Sequence, residues 1–389
     1  MSAQIFWISI SILFYCYLGY GLLVFFLNNI KVLFTGRKSI EITEWPAVSL
    51  IISAYNENDI LEQKITNTLS IDYPTEKLKV IVVTDGSGDG SENIVKQYGS
   101  IQSLHKAERE GKTAALKRAM KHVDTPYVVF SDANTMLNTE CLKKIIAHYK
   151  NKRTGAVAGE KKILQNNNFS AVGEAEGIYW QYESFMKKMD AELYTVVGAA
   201  GELFSIRTSL YKEPDDKIIL DDFVLSMMVC LQGYRIAYEP GAFATESPSA
   251  SFEEERKRKV RISAGAYQSI GYLRQCLNIF KYPALSFQYI SRRLLRWTAC
   301  PLLLVIVLVC NVVLAVNSNN GLYQSLLLTQ LIFYLFAFAG WLFALAGKRA
   351  GLFTIPFYFV FMHYCLVSGF VKFVRGKHSV LWEKSTRIR

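Results

Sequence analysis

The chain combines long apolar stretches at its two ends with a mixed section between them. Each stretch has about 20 or more residues without a charged side chain, enough for a helix to cross a ~30 Å hydrocarbon layer. Nothing basic precedes the first stretch and no small-residue cleavage site follows it, so we interpret it as an anchor, not a signal peptide. The pattern predicts one N-terminal and about three C-terminal transmembrane helices, over residues 5–27, 297–316, 322–346 and 350–371.

Positive charge beside these stretches indicates an orientation. Basic residues follow the first stretch and precede the second, whereas the NSNNG turn between the second and third is uncharged. Because basic flanks stay in the cytoplasm, we expect a multi-pass protein of the inner or plasma membrane with a cytoplasmic middle section. The flanking residues are Lys31, Arg37, Lys38, Arg292, Arg293 and Arg296.

The basic C-terminal tail fits this topology less simply. Four full crossings would place the tail outside the cell, against the charge rule. Alternatively, the fourth stretch, which contains Pro356 and His363, is re-entrant or interfacial and does not span. The sequence leaves the side of the C-terminus open.

The middle section alternates strands and helices. Residues 47–53 (AVSLIIS) and 79–85 (KVIVVTD) have the apolar, β-branched composition of strands buried on both faces. Helical segments separate them, and residues 111–123 form a further helix before the strand YVVFSDAN. The pattern predicts an α/β fold with a Rossmann-like, mostly parallel sheet and helices on both faces. Ligands of such sheets bind beyond the carboxyl ends of the strands.

These features divide the chain into five expected parts. Residues 1–30 form the anchor, 31–275 the cytoplasmic domain and 297–374 the C-terminal transmembrane region. Residues 276–296 mix aromatic side chains with arginines, which predicts an amphipathic segment at the membrane interface. Residues 375–389 form a basic tail.

Composition and charge exclude several classes of function. The 389 residues carry a formal net charge of +11, but the basic residues are not interleaved with aromatics on a nucleic-acid-binding module. We therefore expect no nucleic-acid partner. The seven cysteines are scattered, without CxxC pairs or Cys/His clusters. This spacing argues against a zinc site or a disulfide framework and is typical of a reducing compartment.

Polar residues follow three predicted strands directly, in the motifs SAYNE, TDGSGDGS and SDAN. Each motif alone is compatible with an ordinary turn, but all three are expected at one edge of the sheet. A carboxylate such as Asp85 can accept a hydrogen bond from a uracil N3–H or a ribose hydroxyl, and the glycines let the backbone approach a ligand closely. Asp132 and Asn134 offer oxygens through which Mg²⁺ or Mn²⁺ can bridge to phosphates. Together the motifs predict a nucleoside diphosphate site.

Two later charged segments have two interpretations each. The pair Asp221 and Asp222 precedes an apolar helix, where it either caps the helix or supplies a catalytic carboxylate. The segment 253–263, EEERKRKVRIS, is either a solvated helix face with paired charges or a source of cations for a departing phosphate group.

The motifs AYNEN, VVTDGSGDGS, GKTAAL, SDAN, GAAGELFSIR and ILDDF occur in this order between residues 48 and 271. As an ordered set they resemble the family 2 glycosyltransferases with the GT-A fold. The membrane arrangement is similar to that of the branch that includes hyaluronan, chitin and poly-N-acetylglucosamine synthases. The resemblance implies a GT-A fold for the cytoplasmic domain and a glycosyltransferase activity of the hexosyltransferase type.

The resemblance also implies roles for particular residues. Asp222 is implied as the general base, and Asp221 as a contact for acceptor or donor hydroxyls. Gly201 and Glu202 are implied on the acceptor side. The residues implied at the nucleotide-sugar donor are Ala54, Tyr55, Glu57, Asp85, Lys112, Asp132, Lys259 and Arg261.

The chain departs from the family pattern in two places. Asn134, the implied partner of Asp132 at the metal, stands where the family more often has Asp, which removes one negative charge from the Mg²⁺ or Mn²⁺ site. The Gln and Trp of the family's Q-R-x-R-W motif are also absent, since the matching stretch ends on Ile262. That Trp is associated with acceptor placement in long-chain synthases, so processive polymerisation is less strongly implied.

The resulting hypothesis is a metal-dependent, inverting glycosyltransferase in the membrane. A single base opposite a departing diphosphate implies direct displacement without a carboxylate nucleophile. The expected donor is a UDP-sugar, and the acceptor is a cell-surface polysaccharide or a glycolipid. A polyprenyl-phosphate glycosyltransferase and a catalytically silent scaffold in a synthase complex are the alternatives, and a partner subunit or homo-oligomer is compatible with each. A WxxxxR-like ending at Trp382 and Arg387 favours a cytoplasmic tail.

Overall fold

The structure is a computed structural model that describes residues 1–34, 44–164, 171–318, 320–377 and 379–381. Arg37, Lys38, Trp382 and Arg387 lie outside the described residues. The expectations that rest on these four side chains therefore stay predictions.

The described strands form one eight-stranded sheet. They are β1 (Val48–Ala54), β2 (Leu78–Asp85), β3 (Ile101–Lys106), β4 (Tyr127–Asp132), β5 (Met136–Leu137), β6 (Thr154–Ile163), β7 (Phe204–Arg207) and β8 (Arg235–Glu246). Their order is β3-β2-β1-β4-β7-β6-β8-β5. The first four strands run parallel, whereas β7 is antiparallel to both its neighbours and β5 is antiparallel to β8. The predicted α/β sheet is confirmed.

Strand β1 explains why the centre of the sheet is stable. All seven of its residues are buried, and alternate side chains enter different cores. Ile51 packs with Phe130 and Phe204 on one face, while Leu50 and Ile52 pack on the other face with the helix that follows β1. Because both faces are covered, the strand presents only its carboxyl end to a ligand.

The helices of the described residues either cover the sheet or belong to the apolar ends. They are α1 (Ser2–Phe14), α2 (Tyr20–Phe34), α3 (Asn58–Leu69), α4 (Ser91–Lys96), α5 (Lys112–Met120), α6 (Cys141–Ala147), α7 (Ala171–Leu193), α8 (Asp221–Leu231), α9 (Phe252–Tyr272), α10 (Pro283–Tyr289), α11 (Leu295–Asn317), α12 (Gly321–Leu345) and α13 (Thr354–Val374). A π-helical turn, Tyr15–Gly19, joins α1 to α2.

Four helical stretches in the described part are long and apolar enough to cross a membrane: Ser2–Lys31, Pro283–Asn317, Gly321–Leu345 and Gly351–Val374. One is N-terminal and three are C-terminal, as predicted. The fourth contains Pro356 near the beginning of α13, where a missing backbone N–H breaks no helical hydrogen bond. Helix α13 therefore continues unbroken through His363 to its end.

The predicted interfacial segment 276–296 is not separate from the membrane helices. Helix α10 passes through a π-helical turn, Ile290–Leu294, directly into α11, so the expected boundary falls inside one continuous helix. Arg292 is only 2% exposed, because its guanidinium binds Glu183 and Asp190 of α7. This arginine ties the sheet domain to the membrane helices instead of resting at a lipid surface.

Helix α7 also holds the N-terminal membrane helix. The hydroxyl of Tyr20 donates to Asp190 at 2.5 Å. Asn28 and Lys31 donate to backbone carbonyls near the C-terminal end of α7. Both ends of the chain thus meet on one helix of the middle section.

Helices α9 and α13 approach each other most closely at Gly369. A Cβ atom at this glycine would lie 2.4 Å from the Cβ of Ser263. Tyr358 of α13 also donates to the buried carboxylate of Glu255 on α9, at 3.0 Å. The membrane helix therefore fixes the position of a helix that lies against the sheet domain.

We expect Gly369→Ala to lower the stability of the protein, because overpacked contacts cost roughly 1–3 kcal/mol. The melting temperature of the purified protein in detergent, followed by tryptophan fluorescence, measures this effect. Gly321→Ala is the matched control, since nothing lies within 4 Å of a Cβ added there. Equal melting temperatures for the two variants would contradict the close approach of α9 and α13.

Candidate active site

The carboxyl ends of β1, β2 and β4 meet at one edge of the sheet, where a cavity of about 1070 Å³ opens. The sheet register places Ser53 beside Asp132. Most of the predicted site residues line this cavity: Tyr55, Glu57, Lys112, Asp132, Asn134, Gly201, Glu202, Asp221, Asp222, Lys259 and Arg261. Ala54 and Asp85 lie behind its wall, 1% and 0% exposed.

Gly201 lies where three charged groups from three elements come together. A Cβ atom on this glycine would be 2.8 Å from the ammonium of Lys112, 3.2 Å from a carboxylate oxygen of Asp222 and 3.5 Å from one of Asp132. Lys112 and Asp132 form an ion pair at 2.6 Å. Asp132 and Asp222 are therefore neighbours, although some ninety residues separate them in the sequence. Only glycine leaves room for them here.

Lys112 is the cation that balances this acidic group. It begins α5, directly after Gly111, whose φ of 101° favours glycine. Burial alone would lower the pKa of Lys112, but the carboxylates of Asp132, Asp221 and Asp222 raise it above its usual value. Burial raises the pKa of Asp132, and Lys112 counteracts this rise. The ammonium thus stays charged and holds the carboxylates near it.

Asp222 is a carboxylate of the cavity with a strongly raised pKa. Burial and the neighbouring Asp221 raise its pKa to about 7, although Lys112 acts in the opposite direction. One oxygen accepts from the backbone N–H of Phe223 at 2.7 Å, within the first turn of α8. Leu220 is the N-cap of α8 and no side chain caps the helix, so neither Asp221 nor Asp222 caps it. The other oxygen of Asp222 faces Gly201 and the cavity. A carboxylate that titrates near neutral pH is suited to accepting a proton.

Asp85 has a different place from the one expected. Its carboxylate accepts from the backbone N–H groups of Glu110 and Gly111 and from Arg118. It therefore positions the loop before Lys112 from inside the fold, and its predicted contact with a nucleoside stays untested. The sequence pattern could not distinguish these roles, because a strand-end carboxylate suits both.

The glycine-rich turn after β2 also serves the protein itself. Gly86 has a φ of 65°, and a Cβ there would lie 2.5 Å from the Cβ of Arg109. The absence of a side chain at Gly86 thus lets the loop that contains Arg109 pack closely here. The sequence pattern predicted that a ligand would approach these glycines. The guanidinium of Arg109 in turn lies 3.7 Å above the ring of Tyr55. Arg109 thus contacts a residue of the cavity wall, and the motifs did not indicate it.

A buried network lies behind the predicted metal ligands. Asn134 donates to Glu246 at 3.0 Å. Lys161, 2% exposed, forms ion pairs with both Glu246 and Glu202. Although burial acts to raise it, the pKa of Glu202 falls to about 2 because of Lys161. The sequence signal for Lys161 was weak, because it is the middle one of three consecutive charged residues in β6.

The basic segment of α9 is divided between two tasks. Arg258 and Lys259 pair with the buried Glu255, and Arg258 also binds Glu176 of α7 at 2.8 Å. The interpretation as a solvated helix face is wrong for these residues, because the pairs are buried. Arg261, by contrast, lies near Asp132, Asp221 and Asp222, although burial lowers its pKa. The geometry favours Arg261 over Lys259 as a phosphate contact.

The chain is similar to known proteins in sequence and in fold. A sequence profile described as glycosyl transferase family 2 matches residues 49–213, which contain β1 to β4, Lys112, Asp132 and Gly201. Poly-beta-1,6-N-acetyl-D-glucosamine synthase of Staphylococcus aureus is 26% identical over 276 residues, 68% of this chain and 63% of that protein. The synthase of Staphylococcus epidermidis is 26% identical over 231 residues, 57% and 55%.

Residues 49–213 of the chain thus match glycosyltransferase family 2, and the staphylococcal synthases are similar to the chain. The chain spans 63% and 55% of the length of these two curated relatives. A solved mannosyltransferase of Pyrobaculum calidifontis, in complex with GDP-Man and Mn²⁺, aligns over 96% of this chain and 100% of its own length, with a TM-score of 0.72 and 19% identity. This likeness concerns the fold, and it includes the membrane helices. The family and GT-A fold implied by the motifs are confirmed.

The possible metal ligands of this glycosyltransferase suit a divalent cation that takes few of its ligands from the protein. In the described ranges, no group of three or more His, Cys, Asp or Glu side chains is arranged to hold a metal. Asp132 and Asn134 supply one carboxylate and one amide in the cavity wall. Such a pair fits Mg²⁺ or Mn²⁺ that takes its other ligands from phosphates and water.

We expect the charge on Asp222 to make folded protein less stable at high pH. An unfolded Asp ionises near ~3.9, so the folded state binds more protons between about 4 and 7 and loses stability across that window. Asp222→Asn removes this loss. Its melting temperature should exceed that of the unchanged protein at pH 8, by a margin that narrows toward pH 5.

Asp216→Asn is the control for this experiment, because Asp216 is 63% exposed and pairs with Lys117 at 2.8 Å. Its melting temperature should follow the unchanged protein at every pH. An Asp222→Asn variant less stable than the unchanged protein at pH 8 would contradict the assignment.

Proposed function

We propose that this chain transfers a sugar from a nucleotide-sugar donor, expected to be a UDP-sugar, to a cell-surface glycan or glycolipid. The observation that carries the proposal is the convergence of Lys112, Asp132 and Asp222 around Gly201 at the carboxyl edge of the sheet. The match of residues 49–213 to glycosyl transferase family 2 supports this reaction class.

Asp222 is the proposed general base. The acceptor hydroxyl loses its proton to the free oxygen of Asp222 as it attacks the anomeric carbon, and the nucleoside diphosphate departs from the opposite face. This direct displacement inverts the anomeric configuration. Its pKa of about 7 lets Asp222 hold the proton once transferred, and Asp221 beside it favours proton uptake. Asp221 and Glu202 are the proposed contacts of sugar hydroxyls.

Negative charge on the departing diphosphate requires cations. Lys112 and Arg261 both line the cavity near the acidic groups, and we assign them to the phosphates. Asp132 and Asn134 would hold Mg²⁺ or Mn²⁺, which supplies further charge neutralisation when bound. Tyr55, with Glu57, is assigned to the nucleoside end of the same cavity.

The proposed location is the inner or plasma membrane, with the sheet domain in the cytoplasm, where nucleotide sugars are made. The basic residues Lys31 and Arg292 support this orientation, since both lie between a membrane helix and the domain. The synthase activity named for the staphylococcal relatives supports a role in polysaccharide formation.

The first test measures nucleotide release by the purified full chain in lipid nanodiscs. UDP-GlcNAc, UDP-glucose, UDP-glucuronate and GDP-mannose are supplied with Mg²⁺ or Mn²⁺. We expect release from one donor, lowered about 10²–10⁴-fold by Asp222→Asn, because a general base contributes this much. Donor binding by calorimetry should be unchanged. Normal turnover of Asp222→Asn would refute the base assignment, and no release from any donor would favour the silent scaffold.

A second variant tests the metal site. Asp132→Ala should abolish the part of donor binding that depends on Mn²⁺, because it removes the carboxylate of the proposed ligand pair. Calorimetric titration of UDP with and without Mn²⁺ measures this difference. Asp124→Ala, at an exposed carboxylate outside the cavity, is the control. Metal-dependent binding that survives Asp132→Ala would place the ion elsewhere.

A further inference from the structure

Two buried hydrogen-bond donors on one face of α7 have no acceptor in the described part of the chain, although the ammonium of Lys187 lies 5.3 Å from the centre of the Trp180 ring. The indole N–H of Trp180 and the ammonium of Lys187 are buried, and neither has a hydrogen-bond partner among the described residues. Both side chains line the cavity. They are seven residues apart, two helical turns, and therefore point the same way. Buried polar groups are almost always paired in proteins, so this pair of donors indicates a ligand.

The carboxylates that face Lys187 are already bound. Glu160 accepts from two hydroxyl groups, Glu202 is paired with Lys161, and Glu183 is shared by three arginines. Lys187 itself is 3% exposed, and burial lowers its pKa. These carboxylates supply negative charge to Lys187 but no hydrogen bond, so a ligand with anionic oxygen acceptors is the complement that its N–H groups lack.

The arginines beside Lys187 add to the positive charge of this end of the cavity. Glu183 and Asp190 are two carboxylates that contact Arg292, Arg293 and Arg296. Arg293 and Arg296 line the cavity, and within the described residues the hydrogen bonds of Arg296 go to Glu183 alone. Together with Lys187, these arginines give the group four cations against the three carboxylates Glu183, Asp190 and Glu160.

This cationic end lies beside the membrane helices. Arg293 and Arg296 belong to the apolar stretch Pro283–Asn317. Tyr182, on α7 between Trp180 and Lys187, donates to the backbone carbonyl of a residue in the first membrane stretch. The cavity wall also includes exposed apolar side chains, Ile178 and Ile355, which are 38% and 63% exposed. A ligand with an anionic group and an apolar body matches both surfaces.

We infer that Trp180, Lys187, Arg293 and Arg296 form a subsite for the phosphate of a lipid-borne acceptor. The inference rests on the proposed function, since the same cavity contains Asp222, and it narrows the acceptor to a lipid phosphate or a phosphate-linked glycolipid. The indole and ammonium donate to phosphate oxygens, and the lipid chain leaves along Ile178 and Ile355. These residues position the acceptor, while Asp222 acts on its hydroxyl.

The test measures binding without turnover, so it is independent of the transfer assay. Farnesyl phosphate is titrated into the purified full chain in detergent, and the rise in melting temperature gives its affinity. Farnesol and inorganic phosphate are the matched probes for the chain and the anion. We expect farnesyl phosphate to bind and Lys187→Met to weaken it at least about tenfold, the effect of one charge-assisted hydrogen bond. Trp180→Phe should weaken it several-fold.

Lys188→Met is the matched control, because Lys188 is the next residue of α7 and is exposed. It should bind farnesyl phosphate like the unchanged protein. Without any probe, Lys187→Met should melt at the same or a higher temperature, since it removes an unpaired buried charge. If Lys187 only balanced the nearby carboxylates, Lys187→Met would instead melt lower and leave probe affinity unchanged, which would overturn the subsite.

Two further outcomes would also overturn the inference. Equal binding of farnesol and farnesyl phosphate would show that the phosphate is not recognised. Binding of inorganic phosphate or of the neutral glycan chitotetraose that depends on Lys187, without binding of farnesyl phosphate, would exclude a lipid source. If farnesyl phosphate binds as expected but no nucleotide is released in the transfer assay, the proposed reaction is refuted and the binding subsite is not.

Discussion

A single ammonium group makes the acidic cavity possible. Asp132, Asp221 and Asp222 are brought together by separate elements, and like charges in a buried space cannot all ionise without compensation. Lys112 supplies it through direct contact with Asp132 and through its charge at the other two. The arrangement also explains the requirement for Gly201, since any side chain there would displace the ammonium. The acidity of the site is therefore a property of the group and not of one residue.

The same use of shared charge joins the two halves of the molecule. Glu183 of α7 holds three arginines at the start of a membrane helix, and Glu255 of α9 holds Tyr358 from another. Buried pairs of this kind contribute more to a unique geometry than to net stability, because desolvation offsets much of their attraction. They fix how the sheet domain meets the membrane helices, and so fix the shape of the cavity between them.

Local patterns in the sequence predicted the fold, and most of the side chains that they indicated line one cavity. Apolar strands such as β1, with polar residues at their ends, correctly placed Asp132 at the sheet edge, and ordered motifs indicated Lys112 and Asp222. Residues without a local signal were missed. Lys187 and Trp180 owe their significance to what surrounds them in three dimensions. Asp85 was given a ligand contact because its contacts with two backbone N–H groups and Arg118 leave no trace in the local sequence.

Because α9 packs closely on α13, no domain boundary separates the sheet domain from the C-terminal membrane helices. Arg261 reaches the cavity from one side of α9, while Glu255 and Lys259 on that helix are 0% and 4% exposed beneath the C-terminal helices. A fragment that contains only the sheet domain, without the membrane helices, would keep every strand. It would expose these charged and apolar surfaces of α9 to water. Such a fragment would aggregate, or α9 would move and Arg261 would leave the cavity. A truncated, soluble fragment is therefore not expected to keep the arrangement of the cavity.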